Sequence, residues 1–301
     1  MDKKIVTNKM IDESVAMTRD FIREFIGRDA FKSWSAQQQK LLSLFLAKLK
    51  YDEGYNDIAI ELSYQEIIEG LGWNYSKNSR NMKEKLQPDI RYMMGHCQMW
   101  LKGVHREVPD YAECLITGCK FNSRSMVMQI NPRFMEHLEN LFSLPRGRGW
   151  QFMIMPISDL QLFTSKYSQF FFMEFITCGK VGGPENTHQL STKDIKRLLG
   201  MDETAYVRDN GKFDRYSFEK RVIIPAMQDI DKTEMVDIIK TKDGSYFEKY
   251  KKNGGVVGYK FRYRIYDIYQ IYARRNHKHT PIDDGKIVEI VYDFANIPFD
   301  N

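Results

Sequence analysis

Between Asp214 and Ile230, placing residues 100° apart around a helix sets Ser217, Lys220, Arg221, Ile224 and Gln228 on one arc. Phe218, Val222, Ala226 and Ile230 fall on the opposite arc. The polar arc carries the side chains that read a DNA major groove: arginine donates two hydrogen bonds to a guanine edge, lysine and serine reach phosphates or bases, and isoleucine touches a thymine methyl. Lys212 and Arg215 stand near the start of the helix, close to where a phosphate backbone would run. Two residues fit less well. Pro225 lacks a backbone N–H and is expected to kink or divide the helix, and Glu219 sits at the edge of the apolar arc, where it can pair with Arg215 one turn earlier.

A similar construction on residues 76–87 turns Met82 and Leu86 inward and Lys77, Arg80 and Asn81 outward, with Glu84 outward as well. An ordinary solvated helix surface is the alternative for both faces. Further cations lie downstream: in GYKFRYRI, alternation puts Tyr259, Phe261, Tyr263 and Ile265 on one strand face and Lys260, Arg262 and Arg264 on the other. With Lys251 and Lys252, the residues Lys212, Arg215, Lys260 and Arg262 are placed to neutralise phosphates. From Arg208 to Lys278 there are 17 Lys/Arg against 10 Asp/Glu, a local excess of the kind that attracts phosphate, although a solvated basic face would show it too.

Other chemistries find little support. The four cysteines (Cys97, Cys114, Cys119, Cys178) show no paired CxxC spacing and no ligand spacing with the six histidines, so reduced thiols are expected and no metal or cofactor. His277 and His279 form only HKH in a basic tail, and no phosphate-binding GxxxxGK[ST] occurs, so no enzyme activity is expected. The longest apolar runs, at 41–49 and 169–178, are too short to span a bilayer, and the polar opening residues lack a secretory pattern. A cytoplasmic protein with no membrane partner is expected.

The elements that would position these residues repeat. LSYQEIIEGLGW (62–73) aligns without gaps on LSTKDIKRLLGM (190–201): in each, a serine (Ser63, Ser191) precedes an acid at the third helical position (Glu66, Asp194), and a glycine (Gly72, Gly200) ends the helix. Upstream of each lies a longer apolar helix, 35–50 and 165–180. Downstream comes a basic helix and then strand-like segments at 97–103, 113–121 and 125–132, or at 235–241, 245–250 and 256–265. Helix, short helix, basic helix and hairpin is the order of a winged helix. The expected fold is α+β: two winged-helix domains in tandem, related by internal duplication. The expected division is an N-terminal extension with a helix (1–31), a first winged helix (32–145), a second that binds DNA (150–272) and a C-terminal tail (273–301), with the boundary at LPRGRGW, 144–150.

Segment 162–265 resembles the second winged helix of the Rep_3-type plasmid replication initiator family. The parts that carry the likeness are FTSKYSQFFFMEF, LSTKDIKRLLGM and YSFEKRVIIPAMQDIDKTE, in which Phe218, Arg221, Val222, Pro225, Ala226 and Ile230 match the family's recognition helix. Residues 32–142 resemble its first winged helix through WSAQQQKLLSLFLAKL, ELSYQEIIEGLGW and MVMQINPRFMEHL. The resemblance implies a protein that binds tandem repeats (iterons) in double-stranded origin DNA, helps to melt the origin and recruits the host replication initiator and helicase. It also implies a monomer–dimer equilibrium, with the dimer repressing its own gene. A winged-helix transcription regulator is the alternative reading.

Overall fold

The structure is a computed structural model that describes residues 14–18, 22, 29–48, 58–74, 81–101, 111–132, 152–252, 254–267, 270–271 and 274. It is built from two winged helices, and their sheets share one topology. In the first, strand β2 (Ile58–Ser63) precedes the short helix α3 (Tyr64–Gly70) and pairs with β6 (Ser125–Ile130), which pairs with β5 (Ile116–Phe121). In the second, β8 (Asn186–Ser191) precedes the short helix α7 (Thr192–Leu198) and pairs with β11 (Gly255–Ile265), which pairs with β10 (Glu248–Lys252). The order is the same each time: the strand before the short helix, the last strand, then its hairpin partner. The internal duplication is therefore a duplication of topology as well as of sequence. Two elements break it: a separate hairpin of β3 (Gln98–Leu101) and β4 (Tyr111–Cys114) in the first domain, and β9 (Val236–Ile238) on the end of β11 in the second.

The repeated short helices form for the reasons their sequences give. Ser63 Oγ accepts from the Glu66 N–H at 3.2 Å while Glu66 Oε2 accepts from the Ser63 N–H at 2.8 Å, satisfying two N–H groups that the first turn leaves open. Ser191 Oγ accepts from the Asp194 N–H at 3.0 Å. Ile67, Leu71, Ile195 and Leu199 are buried, and Gly72 and Gly200 take the left-handed conformation at φ 67° and 62°. Gly200 is required twice over, because a Cβ there would also strike the Lys32 side chain of the first half.

The longer helices α2 (Ala36–Ala47) and α6 (Ser168–Cys178) fill the cores. In the second domain Phe171 and Phe175 of α6 meet Phe261 of β11, and Phe175 stacks on Tyr263 with ring centroids 4.5 Å apart. The alternation read from GYKFRYRI is therefore borne out: Tyr259, Phe261, Tyr263 and Ile265 are buried.

The two halves are joined by more than chain continuity. Strand β1 (Ser14–Thr18), in the segment expected to be an N-terminal extension with a helix, pairs antiparallel with β7 (Phe152–Pro156), and the helical turn α1 (Asp29–Lys32) follows it. Gln39 Nε2 of α2 donates to the Lys166 carbonyl at 3.4 Å, and Lys40 Nζ donates to that of Gln161. The boundary segment 144–150 and the tail, apart from Arg274, lie outside the described residues.

Two strand expectations are corrected. The strand expected at 245–250 runs Glu248–Lys252, because the 241–245 stretch is closed into a turn by hydrogen bonds between Thr241 and Ser245. Within the strands expected at 97–103 and 113–121, Gln98–Leu101 pairs with Tyr111–Cys114 as the extra hairpin and not with the wing sheet.

Candidate nucleic-acid interface

The helix expected from Asp214 to Ile230 forms in three consecutive pieces, α8 (Arg215–Phe218), a π-helical turn (Glu219–Ile223) and α9 (Ile224–Ile230). The π turn is how the chain accommodates Pro225. The Ile224 N–H reaches back five residues to the Glu219 carbonyl, so the proline enters at the first turn of α9, where its missing N–H matters least. The helix continues without the break that a mid-helix proline would impose.

Phe218, Val222, Ala226 and Ile230 are fully buried, joined by Ile223 and Met227 because the π turn widens the buried arc. On the outer side Lys212, Lys220, Arg221 and Gln228 are exposed, and Ile224 is partly so. Among the described residues neither Lys212 nor Arg221 is in an ion pair. Ser217 is the exception on this face. Its hydroxyl donates to Asp214 Oδ2 at 3.0 Å and its N–H to Asp214 Oδ1 at 3.2 Å, so it serves the helix cap and has no proton left for a base or phosphate.

Glu219 turns from an awkward residue into a strut. It accepts from Lys249 Nζ of β10 at 2.9 Å and from the Tyr259 hydroxyl of β11 at 3.2 Å, and Arg215 stands 3.8 Å away, as the helical spacing suggested. Burial, and then the Glu219 carboxylate beside it, push the Tyr259 phenol well above its usual range and keep it a donor. The helix of α8 and α9 and the hairpin β10–β11 are thus fastened at one partly buried point.

The wing cations fall into two groups. Lys251 and Lys252 are exposed at the end of β10, beyond a register shift at Tyr250/Lys251, and pair with no acid among the described residues. Lys260 is held by Glu248 at 3.4 Å, and Arg262 forks onto Glu185, with Nη2 to Oε2 at 3.0 Å. Lys260 and Arg262, expected to neutralise phosphates, thus each already face an acid among the described residues. The outer face of β11 is neutralised by the acids of its neighbours, and the free charge is concentrated at the hairpin end and on the helix.

In the first domain the helix α4 runs Met82–Gly95, later than the 76–87 expected. It passes through Pro88 because Met82, Leu86, Ile90 and Met93 bury one continuous stripe, while Pro88 and Glu84, whose carbonyl the proline leaves unbonded, both face solvent. Asn81 is consequently not on the helix but at its N-terminal cap, exposed and left-handed at φ 58°. Lys77 and Arg80 lie outside the described residues. The outward side chains that α4 does present are Lys83, Glu84, Arg91 and Tyr92. Setting Pro88 on Pro225 aligns the buried Leu86, Ile90 and Met93 on Ile223, Met227 and Ile230, and puts Glu84 where the second domain has Arg221.

Sequence reasoning missed three exposed groups in these surfaces. Tyr216 is 69% exposed on the first turn of α8, with Lys220 Nζ 5.6 Å from its ring centre. Lys120, near the end of β5, and Arg124, in the turn of the β5–β6 hairpin, are both exposed. The signal for Arg124 was present in NSRS, a basic residue at the tip of a hairpin turn.

Two buried carboxylates set the far end of this helix. Asp229 accepts from the Thr164 and Ser165 N–H groups at 2.7 and 2.9 Å and from the Ser168 hydroxyl at 2.7 Å, tying α9 to the start of α6. Asp159, on α5 (Ile157–Gln161), accepts from the Glu234 and Met235 N–H groups at 3.0 and 2.9 Å.

The family described as initiator replication protein, WH1, matches residues 23–176, just over half of the chain. Among solved structures, the crystal structure of Pi initiator protein in complex with iteron DNA is 14% identical, covers 84% of this chain and 98% of that one, and superposes with a TM-score of 0.59, a likeness of fold. Domains 2 and 3 of RctB are 10% identical over 81% of this chain and 82% of theirs, with a TM-score of 0.37 that supports no argument. No curated protein matches the chain. No helix among the described residues is long and apolar enough to cross a membrane.

Proposed function

Since the chain belongs to the initiator replication protein family, we propose that it is a plasmid replication initiator that binds iterons in double-stranded DNA. The observation that carries this reading is the second domain's outer surface, where Lys220, Arg221 and Gln228 of the helix and Lys212 before it are exposed beside a hairpin whose Lys251 and Lys252 are exposed and pair with no acid among the described residues. Pi initiator protein, of the same fold, is bound to iteron DNA in its crystal structure. In this proposal the helix reads base edges and the wing neutralises phosphates. Melting of the origin, recruitment of the host initiator and helicase, a monomer–dimer equilibrium with self-repression, and action in the cytoplasm without catalysis complete the proposal.

Footprinting on the DNA beside its gene tests this directly. Protection of direct repeats spaced by about two helical turns is expected, since each winged helix reads about one turn. Protection of a single palindrome instead would favour a transcription regulator. The full chain with Lys83→Ala and Arg91→Ala should protect a shorter stretch at one end; an unchanged footprint would remove the first domain from the contact surface.

Salt dependence tests the wing. Affinity should fall steeply with salt, and Lys252→Ala should reduce the slope of log K against log salt by about 0.9, the share of one phosphate contact. Specific and random duplex should lose affinity alike. Arg262→Ala, by contrast, should leave the slope nearly unchanged, because its charge is already spent on Glu185.

A further inference from the structure

Away from the helix face and the wing tip, three side chains of different chemistry converge at the edge of the second domain. Glu174 and Cys178 stand one turn apart at the end of α6, and His188 extends from β8, the edge strand of the wing sheet. His188 shares the inward strand face with Leu190, and its ring meets that of Phe175 edge to face. One ligand atom from each of the three lies within 4.8 Å of the others.

Two of the separations match those of a coordination sphere. Four ligands arranged tetrahedrally around zinc, with bonds of about 2.3 Å to sulfur and about 2.0 Å to nitrogen or oxygen, put sulfur about 3.5 Å and nitrogen about 3.3 Å from the oxygen. Cys178 Sγ is 3.4 Å from Glu174 Oε1, and His188 Nε2 is 3.0 Å from the same oxygen. Small side-chain rotations would open a central position for the ion. The charges also suit it, since a thiolate, a carboxylate and a neutral imidazole sum to −2, which a dication cancels.

We propose that Glu174, Cys178 and His188 form a three-ligand site for a thiolate-tolerant divalent cation of the zinc class, with water in the fourth position. Binding releases the Cys178 proton to solvent, so affinity falls as pH is lowered. Thiolate plus imidazole selects Zn²⁺ over Mg²⁺ and Ca²⁺, which prefer oxygen ligands alone. The ion would clamp the last turn of α6 to β8, and through β11 fix the wing against the helical core.

The test uses the full chain freed of metal by dialysis against a chelator. Co²⁺ should bind once per chain and give the near-ultraviolet charge-transfer band of a cobalt thiolate, displaced by Zn²⁺. Zn²⁺ at about a hundredfold excess over its Kd should raise the melting temperature by about 5–10 °C. Cys178→Ser should abolish the band, and His188→Gln should remove the Zn²⁺-induced rise while leaving the metal-free melting temperature near that of the parent. A missing cobalt band in the parent chain would overturn the proposal. So would a band that survives in Cys178→Ser, which would place the metal on Cys97, Cys114 or Cys119.

Discussion

Replacing Arg221 with alanine should weaken binding to the cognate repeat by about 1–3 kcal/mol and to random duplex by much less. Arg221 is exposed in the middle of the π turn, next to the buried Val222, and among the described residues no acid claims its guanidinium. A free, forked donor at the centre of the reading face is suited to a guanine edge. An exposed side chain with no partner carries little of the fold, so the melting temperature should change by an amount equivalent to about 0.5 kcal/mol or less. Gel-shift measurements on both duplexes, paired with thermal unfolding, separate the outcomes. Equal loss on both DNAs would make Arg221 a phosphate contact, and a collapsed melting temperature would mean the residue supports the π turn itself.

Much of this arrangement was legible in the sequence because it is written in local chemistry. The serine and acid of each capping pair, the glycines at φ 62° and 67°, and the alternation of β11 each depend on residues a few positions apart. What escaped depends on distance. Strands β2 and β8 were not anticipated; in β8, NTHQLS offers one buried apolar residue, Leu190, and is held as an edge strand by β11, some 70 residues later. Strand β1 was missed for a like reason, since its partner β7 is over 130 residues away. Charge pairing is equally non-local: Arg262 looked free until Glu185 was placed beside it, and Glu219 looked misplaced until Lys249 and Tyr259 closed on it. The expected division at Pro225 takes a form that local chemistry did not specify: a π turn separates two α-helical pieces of one continuous run.

The buried carboxylate of Asp229 should matter more to stability than any residue on the DNA-facing surface. Its side chain is only 3% exposed, and it is the common acceptor for the N–H groups of Thr164 and Ser165 and the hydroxyls of Thr164 and Ser168 at and just before the start of α6. Asp229→Ala would leave the buried Ser168 hydroxyl and the partly buried Thr164 and Ser165 N–H groups without this acceptor, at about 1–3 kcal/mol for each one left unsatisfied. A total loss on the order of 3–5 kcal/mol is expected, comparable to breaking a buried ion pair. The loss should reach DNA binding too, because Asp229 belongs to the last turn of the reading helix and fixes its angle against α6. Asp229→Asn keeps the shape and one acceptor oxygen but turns an amide N–H₂ toward other donors, so its cost should be smaller and still clear. The pH dependence gives an independent check. Burial pushes the Asp229 carboxyl up, but hydrogen bonds from Ser165, Ser168 and Thr164 outweigh it and hold the group below its ordinary value. A depressed folded-state pKa means that the stabilisation is complete above the unfolded value of about 4 and drains away as pH falls through the lower folded value. Thermal unfolding of the parent chain should therefore weaken in acid below about pH 4, while Asp229→Asn, with no proton to gain at that position, should start lower and fall less steeply. Parallel acid profiles for the two proteins would show that Asp229 is not the carboxylate whose protonation loosens the domain.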